Sequence, residues 1–169
     1  ENKKIVIRRV SDKGHAIAAA LDDSSYYTDD GNVLLVPYKA IEGSTLRSEF
    51  VNYPVSYVKI DLKYAVAILL SRLEGFYFKK RFATESLQGA TSHTYPASVR
   101  ALPIMEISSE KQKIFIDLVD KILAITKSGD YINNPTKQTK VQEYEHQIDQ
   151  MVYKLYDLNK KEIEIIERL

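Results

Sequence analysis

The chain has 169 residues, of which 44% are hydrophobic and 28% charged, with a formal net charge of +1 and no cysteine. This composition predicts one domain with a real core, or one domain plus an appendage, and argues against a disordered chain, a disulfide framework and a thiolate metal site. The absence of cysteine makes a reducing, cytoplasmic setting the expected one. The longest apolar runs are far shorter than a membrane span, so we expect no membrane partner. Because the chain lacks an initiator Met and soon enters a strand pattern, we expect it to be part of a longer protein.

Four short segments before the middle of the chain have strand patterns, in which apolar residues alternate or turn residues flank a short apolar run. They are residues 4–10, 15–21, 33–38 and 55–60. Arg8 and Arg9 lie near the end of the first segment. A loop whose apolar residues show no clear periodicity separates the last two segments. The pattern predicts a small β-rich unit.

Residues 61–82 predict one amphipathic helix, around which this unit is organised. Asp61 is a plausible N-cap. The predicted buried stripe consists of Leu62, Val66, Leu69, Leu73 and Phe76, and Lys63, Glu74 and Arg81 lie on a polar flank.

Three cations, Lys79, Lys80 and Arg81, end this helix between aromatic residues. Cationic donors beside a hydrophobic cluster suit phosphate oxygens, so the motif is a candidate for DNA contact. The alternative is a solvated helix end whose charges only complement the helix dipole. Lys80 falls on the apolar stripe, so either the helix ends by Phe78 or Lys80 extends past the aromatic rings to water.

The remaining residues predict a loop, an extended segment and then helices. Residues 83–98 are polar and aperiodic, and residues 100–107 have an extended pattern. Ser109 and Gln112 form a capping-box pattern before an apolar stripe that includes Ile114. A polar loop at 128–140 precedes a second amphipathic helix, and Asn159 with Glu162 can cap a last short helix. Two such helices predict an antiparallel hairpin that needs a third surface to cover it.

Several of these segments resemble a known family. The ending QIDQMVYKLYDLNKKEIEIIE, residues 147–167, resembles the closing signature of the TaqI-like C-terminal specificity domain of type IIG restriction enzymes and adenine-specific DNA methyltransferases. LPIMEISSEKQKIFIDLVDKIL, residues 102–123, is similar to that family's Leu-Pro-Ile step into a helical spacer, and KIVIRRV, the Tyr26-Tyr27 pair and FYFKKRF occur in the expected order. The likeness covers nearly the whole chain, with departures at ILLSRLEGF and in the longer loop 133–140.

The resemblance implies a DNA target-recognition domain at residues 1–107 and a helical spacer at 108–169. The expected fold class is α+β, with a small β-rich domain around a central amphipathic helix followed by an antiparallel helical spacer. The expected partners are double-stranded DNA and the methyltransferase domain of the same parent chain. S-adenosylmethionine, and Mg²⁺ where the parent also cleaves DNA, would be bound outside this chain, so we expect no cofactor, metal or catalytic residue within it.

DNA recognition requires two kinds of contact. Base edges in the major groove are read by Arg, Lys, Asn, Gln and small or aromatic side chains, and phosphates are held by cations. The candidates for base reading lie in two loops, at 38–52 and 84–100, and are Lys39, Arg47, Gln88, Ser92, His93, Tyr95 and Arg100. The candidates for phosphate contact are Arg8, Arg9, Lys79, Lys80 and Arg81. For each residue the alternative is an exposed side chain with no role in binding.

Two other functions stay open at this point. The helical hairpin could be the working surface of a protein-interaction module, as its apolar stripe suggests. A small nuclease is the other possibility, since Asp61-Leu62-Lys63 has the spacing of an acidic-x-Lys element, although Asp61 is better explained as a helix cap. The chain has neither the Pro-Pro-aromatic turn that holds a flipped adenine nor a glycine-rich loop for a nucleotide.

Overall fold

A computed structural model describes residues 3–10, 16–24, 28–29, 31–37, 59–82 and 94–168. Within these ranges the chain forms a three-stranded antiparallel sheet and six α-helices, which confirms the predicted α+β class. The strands are β1 (Lys4–Arg8), β2 (Ala19–Asp22) and β3 (Asn32–Leu35). The helices are α1 (Leu62–Leu69), α2 (Arg72–Phe82), α3 (Pro96–Arg100), α4 (Ser109–Thr126), α5 (Pro135–Leu155) and α6 (Lys160–Glu167), with a 3₁₀ turn at Tyr131–Asn133. None of the helices in these ranges has the length and apolar character needed to cross a membrane.

The sheet has the order β2-β1-β3, so β1 is the central strand. The alternation of β1 places Ile5 and Ile7 in the core, as the sequence predicts. Lys4 pairs with Asp22 on the neighbouring strand in a nearly buried salt bridge, and this bond, with hydrogen bonds from Ser24, lowers the pKa of the Asp22 carboxyl to about 2. The strand predicted at 55–60 falls mostly outside the described residues.

The segment 61–82 is two helices rather than the single helix predicted. Asp61 is the N-cap of α1, because its side chain accepts from the Lys63 N–H at 2.7 Å. The helix breaks after Leu69, where side chains take part in hydrogen bonds with the backbone in place of other backbone groups of the helix. The Ser71 hydroxyl donates to the Ile68 carbonyl at 2.7 Å, and the Arg72 N–H donates to the Asp149 carboxylate of α5 at 2.9 Å. A partner distant in sequence thus starts the second helix.

The predicted division of this segment into a buried stripe and a polar flank is wrong in two places. Residues 64–69 are all buried, because the sheet packs on one side of α1 and α4 on another. Glu74, expected on the polar flank, is only 1% exposed. A helix that is apolar on nearly all sides belongs in a core, and α1, in which Lys63 is the one charged residue, fills that place here.

The C-terminal helices follow the predicted order with different starts. Ser108, not Ser109, is the N-cap of α4, since its hydroxyl accepts from the Lys111 N–H. The second long helix begins earlier than expected, at Pro135, because Asn134 caps it and proline suits the first helical position. Ile114, placed on the buried stripe by the sequence, is 57% exposed.

Other predictions in this region are correct. The stripe of α4 otherwise packs into the core through Phe115, Leu118 and Val119, and α4 and α5 pack against each other as the predicted hairpin requires. The predicted capping box of Asn159 and Glu162 is present at the start of α6.

The side chain of Gln112 joins the two parts of the chain. Its amide oxygen accepts from the Asp61 N–H at 2.9 Å, and its amide nitrogen donates to the Lys59 and Ile107 carbonyls, both at 3.0 Å. It is therefore not a capping-box residue of α4, and it is almost fully buried. The core is continuous from β1 through α1 to α5. A domain boundary between residues 107 and 108 stays a prediction.

Replacing Gln112 by Ala should destabilise the protein by about 1–3 kcal/mol, because it leaves one part-buried N–H and two part-buried carbonyls without their partner. Urea denaturation followed by circular dichroism measures this change. The matched control is Gln147→Ala, in an exposed position of α5, which should alter stability by less than about 0.5 kcal/mol. Equal effects of the two substitutions would show that the Gln112 amide does not hold these segments together.

Candidate nucleic-acid interface

The last turn of α2 carries Lys79, Lys80 and Arg81. Between them and the rest of the helix, Phe78 is 0% exposed and packs against Phe82 with ring centroids 5.6 Å apart. Because α2 ends at Phe82, the helix continues past Phe78. The buried Phe78 side chain attaches this last turn to the core.

The three cations of this turn point in different directions, because successive residues of a helix are about 100° apart. Lys80 and Arg81 are exposed, with their charged groups 5.8 Å from the ring centroids of Phe76 and Phe82. Aromatic rings thus accompany these charges through cation–π contacts. Lys79 is half-buried and lines a groove on another side of the helix.

This groove has a volume of about 1070 Å³. Residues 16–21 form one wall, and side chains of α1, α2, α4, α5 and α6 form the others. The groove is predominantly apolar along its helical walls, while Arg72 and Lys79 supply cations and Glu145 and His146 add further polar groups. Its first wall connects the groove to β1, because Ala18 accepts a hydrogen bond from the Arg8 N–H at 2.9 Å.

The exit of β1 holds two of the predicted phosphate contacts. Arg8 is exposed, and Arg9 is half-buried. The Arg9 N–H donates to the Gly31 carbonyl at 3.1 Å, and the Arg9 carbonyl accepts from the Thr94 N–H at 2.7 Å. The backbone of Arg9 is therefore held on both sides.

Tyr95 is brought next to Arg9 by the Thr94 hydrogen bond. The Arg9 guanidinium carbon lies 5.6 Å from the centroid of the Tyr95 ring, and half of Tyr95 is exposed. Tyr95 has extended backbone angles immediately before Pro96, which begins α3. The structure thus brings together one predicted phosphate contact and one predicted base reader that are far apart in the sequence.

Arg100 has a different setting from the one predicted. It is the last residue of α3 and is exposed, whereas the sequence suggested a loop leading into an extended segment. Proline at the first helical position explains the short helix. The other base-reading candidates, Lys39, Arg47, Gln88, Ser92 and His93, lie outside the described residues.

Glu74 is a notable residue that sequence reasoning missed. It lies in the first turn of α2, and no described group hydrogen-bonds to either of its carboxylate oxygens. Burial raises the pKa of its carboxyl to about 7. The only sequence signal was the Ser-x-x-Glu spacing from Ser71, and the Glu74 N–H does donate to the Ser71 hydroxyl at 3.3 Å.

Asp149 is the second buried carboxylate near this helix. It accepts from the Arg72 N–H, and its second oxygen lies 3.5 Å from the Arg72 side-chain Nε. Burial raises the pKa of its carboxyl, and the bond and charge of Arg72 act in the opposite direction. These contacts explain how an acidic residue is accommodated at the positive N-terminal end of α2.

Within the described ranges, no group of three or more His, Asp or Glu side chains is arranged to hold a metal ion. Neither a scan against protein-family models nor a search of curated proteins finds a match for this chain. The candidate interface therefore rests on the residues and contacts described above.

Glu74→Gln should make the protein less sensitive to pH. The Glu74 carboxyl has a pKa of about 7 when folded and an ordinary pKa near 4.5 when unfolded, so the unfolded chain loses this proton first as the pH rises. Stability of the native sequence should fall between about pH 4.5 and 7. The Gln variant should lack this component of the stability, on the order of 3 kcal/mol. Urea denaturation at several pH values measures it.

Glu164→Gln is the control, because Glu164 is exposed and its contact with Arg168 is long, at 3.9 Å. This variant should keep the pH dependence of the native sequence. If Glu74→Gln and Glu164→Gln gave the same profile, the Glu74 carboxyl would not be protonated in the folded protein at pH 6.

Proposed function

We propose that this chain recognises double-stranded DNA as a TaqI-like specificity domain of a cytoplasmic restriction-modification enzyme. In this proposal the chain reads the DNA, and a methyltransferase domain of the same parent chain, which uses S-adenosylmethionine, carries out the chemistry. A nuclease activity of the parent would likewise reside outside these residues. The helical hairpin of α4 and α5 would face the catalytic part.

The observation that carries the proposal is that β1 and α2, each of which ends near cationic residues, both approach residues 16–18. Arg8 donates its N–H to the Ala18 carbonyl, and Lys79 lines the groove that residues 16–21 border. Ala16 also lies against Gly75, one turn before Lys79, where a Cβ on Gly75 would be 3.7 Å from the Ala16 Cβ. The backbone of Arg8 and the turn of α2 that leads to Lys79 therefore border the same short segment.

Local concentration of charge is what DNA binding by this chain requires. The net charge is only +1, so the chain as a whole would not attract a polyanion strongly. Each phosphate contact releases counterions, so a few well-placed cations give affinity that falls steeply with salt. Arg8, Lys80 and Arg81 are exposed and fit this requirement.

A protein-interaction module is the second candidate, and one observation favours it. Ile132, between α4 and α5, is 80% exposed, which is unusual for a large apolar side chain. The apolar stripe that first suggested this function is largely used inside the chain, since Phe115, Leu118 and Val119 belong to the core. Size-exclusion chromatography with Ile132→Asp separates the candidates, because only an interaction module would associate without DNA and lose that association in the variant.

Reversing the charges of Lys79, Lys80 and Arg81 to Glu should weaken binding to all duplex sequences by about 10-fold or more at low salt. The reason is that the change removes cations that pair with phosphates and adds repulsion. It should also reduce the slope of log Kd against log salt by about one for each phosphate that is no longer neutralised. Fluorescence anisotropy with a randomised duplex pool at several salt concentrations measures both quantities.

The matched control reverses three exposed lysines: Lys113 on α4, Lys127 at the C-terminal end of α4 and Lys154 on α5. This control changes the net charge by the same amount. This control should bind DNA much more tightly than the α2 variant. Equal affinities of the two variants would mean that only net charge matters. Unchanged binding in the α2 variant would show that its cations do not contact DNA.

A further inference from the structure

Arg9 is positioned by its backbone before any ligand binds. Its N–H and its carbonyl are both hydrogen-bonded, to Gly31 and to Thr94, and Thr94 is 0% exposed. The side chain therefore starts from a fixed point at the end of β1.

Tyr95 then restricts the Arg9 side chain itself. The guanidinium lies 5.6 Å from the ring centroid, within the range of a cation–π contact. The ring is supported in turn, because Tyr95 directly follows buried Thr94 and precedes Pro96 at the start of α3. The Arg9 guanidinium is thus a planar donor whose orientation is restricted by the Tyr95 ring.

A restricted orientation distinguishes two ligands that both accept paired hydrogen bonds from arginine. Phosphate oxygens accept hydrogen bonds from many directions, so a phosphate contact does not require an oriented guanidinium. A base edge presents its acceptors in one plane, so base reading does require one. The sequence alone suggested that Arg9 holds a phosphate, whereas this arrangement favours a base.

We propose that Arg9 reads a guanine of the DNA target, with Tyr95 as the positioning residue that orients its guanidinium. Guanine is the base that presents two acceptors, O6 and N7, to a bidentate arginine in the major groove. This proposal rests on the proposed DNA-recognition function and deepens it. Arg8, which is exposed beside it, would then make the sequence-independent contact.

The experiment begins with selection of bound sequences from a randomised duplex pool, using the whole chain at low salt. Each guanine of the selected motif is then replaced by 7-deazaguanine, which lacks the N7 acceptor. One such replacement should weaken binding by native protein by about 10-fold, as expected when one hydrogen bond of a bidentate pair is removed. Arg9→Gln should bind the normal and the modified duplex equally.

Four variants act as controls. Arg8→Gln should weaken binding to all duplexes and keep the discrimination against 7-deazaguanine. Tyr95→Phe, which retains the ring, should lose less discrimination than Tyr95→Leu, which removes it. Circular dichroism and thermal melting establish that each variant is folded, and Arg9→Lys, which keeps the charge but not the planar fork, should bind DNA without discrimination.

The two proposals fail in different ways. DNA binding with the same discrimination in native protein and in Arg9→Gln would overturn the assignment of Arg9 and leave the proposed function standing. A selected motif without guanine would do the same. No binding of any duplex at low salt would overturn the proposed function and this assignment together.

Discussion

The Gln112 amide forms hydrogen bonds with backbone groups of two segments: Lys59 and Asp61 at the start of α1, and Ile107 just before the Ser108 cap of α4. These segments cannot move independently without leaving buried polar groups unpaired. Asp149 adds a second link of the same kind, between α5 and the start of α2. The orientation of α2, and with it the position of its C-terminal cations, is therefore fixed by polar contacts with the helical hairpin as well as by apolar packing.

Local patterns in the sequence predicted what depends on neighbouring residues. The alternation of apolar residues identified β1, and the Asn159–Glu162 spacing identified the cap of α6. The charge cluster at Lys79 was evident from three consecutive basic residues. The break between α1 and α2 could not be predicted, because Asp149 supplies its partner from a distant helix. The neighbourhood of Arg9 and Tyr95 was equally inaccessible, since it depends on a hydrogen bond between segments far apart in the chain.

Two pairs of cations, Lys4 with Arg72 and Lys80 with Arg81, differ in what lies beside them. Lys4 and Arg72 contact buried carboxylates, Asp22 and Asp149, so much of their charge is compensated within the protein. Lys80 and Arg81 lie against aromatic rings. A ring orients a cation without neutralising it, so the positive potential outside the protein stays larger than a carboxylate partner would allow. The first pair serves the fold, and the second suits an anionic ligand.

The complete burial of Phe78 has a consequence for how ligand affinity would respond to distant changes. The last turn of α2 is ordered when the chain folds, so a ligand that binds there need not supply the conformational entropy for ordering its backbone. Substitutions in α5 or α6 that loosen the packing of α2 would leave this turn less ordered, so a ligand would have to order it on binding and would bind more weakly. Affinity at this surface is thus coupled to residues that no ligand touches, through the rigidity of a single helical turn.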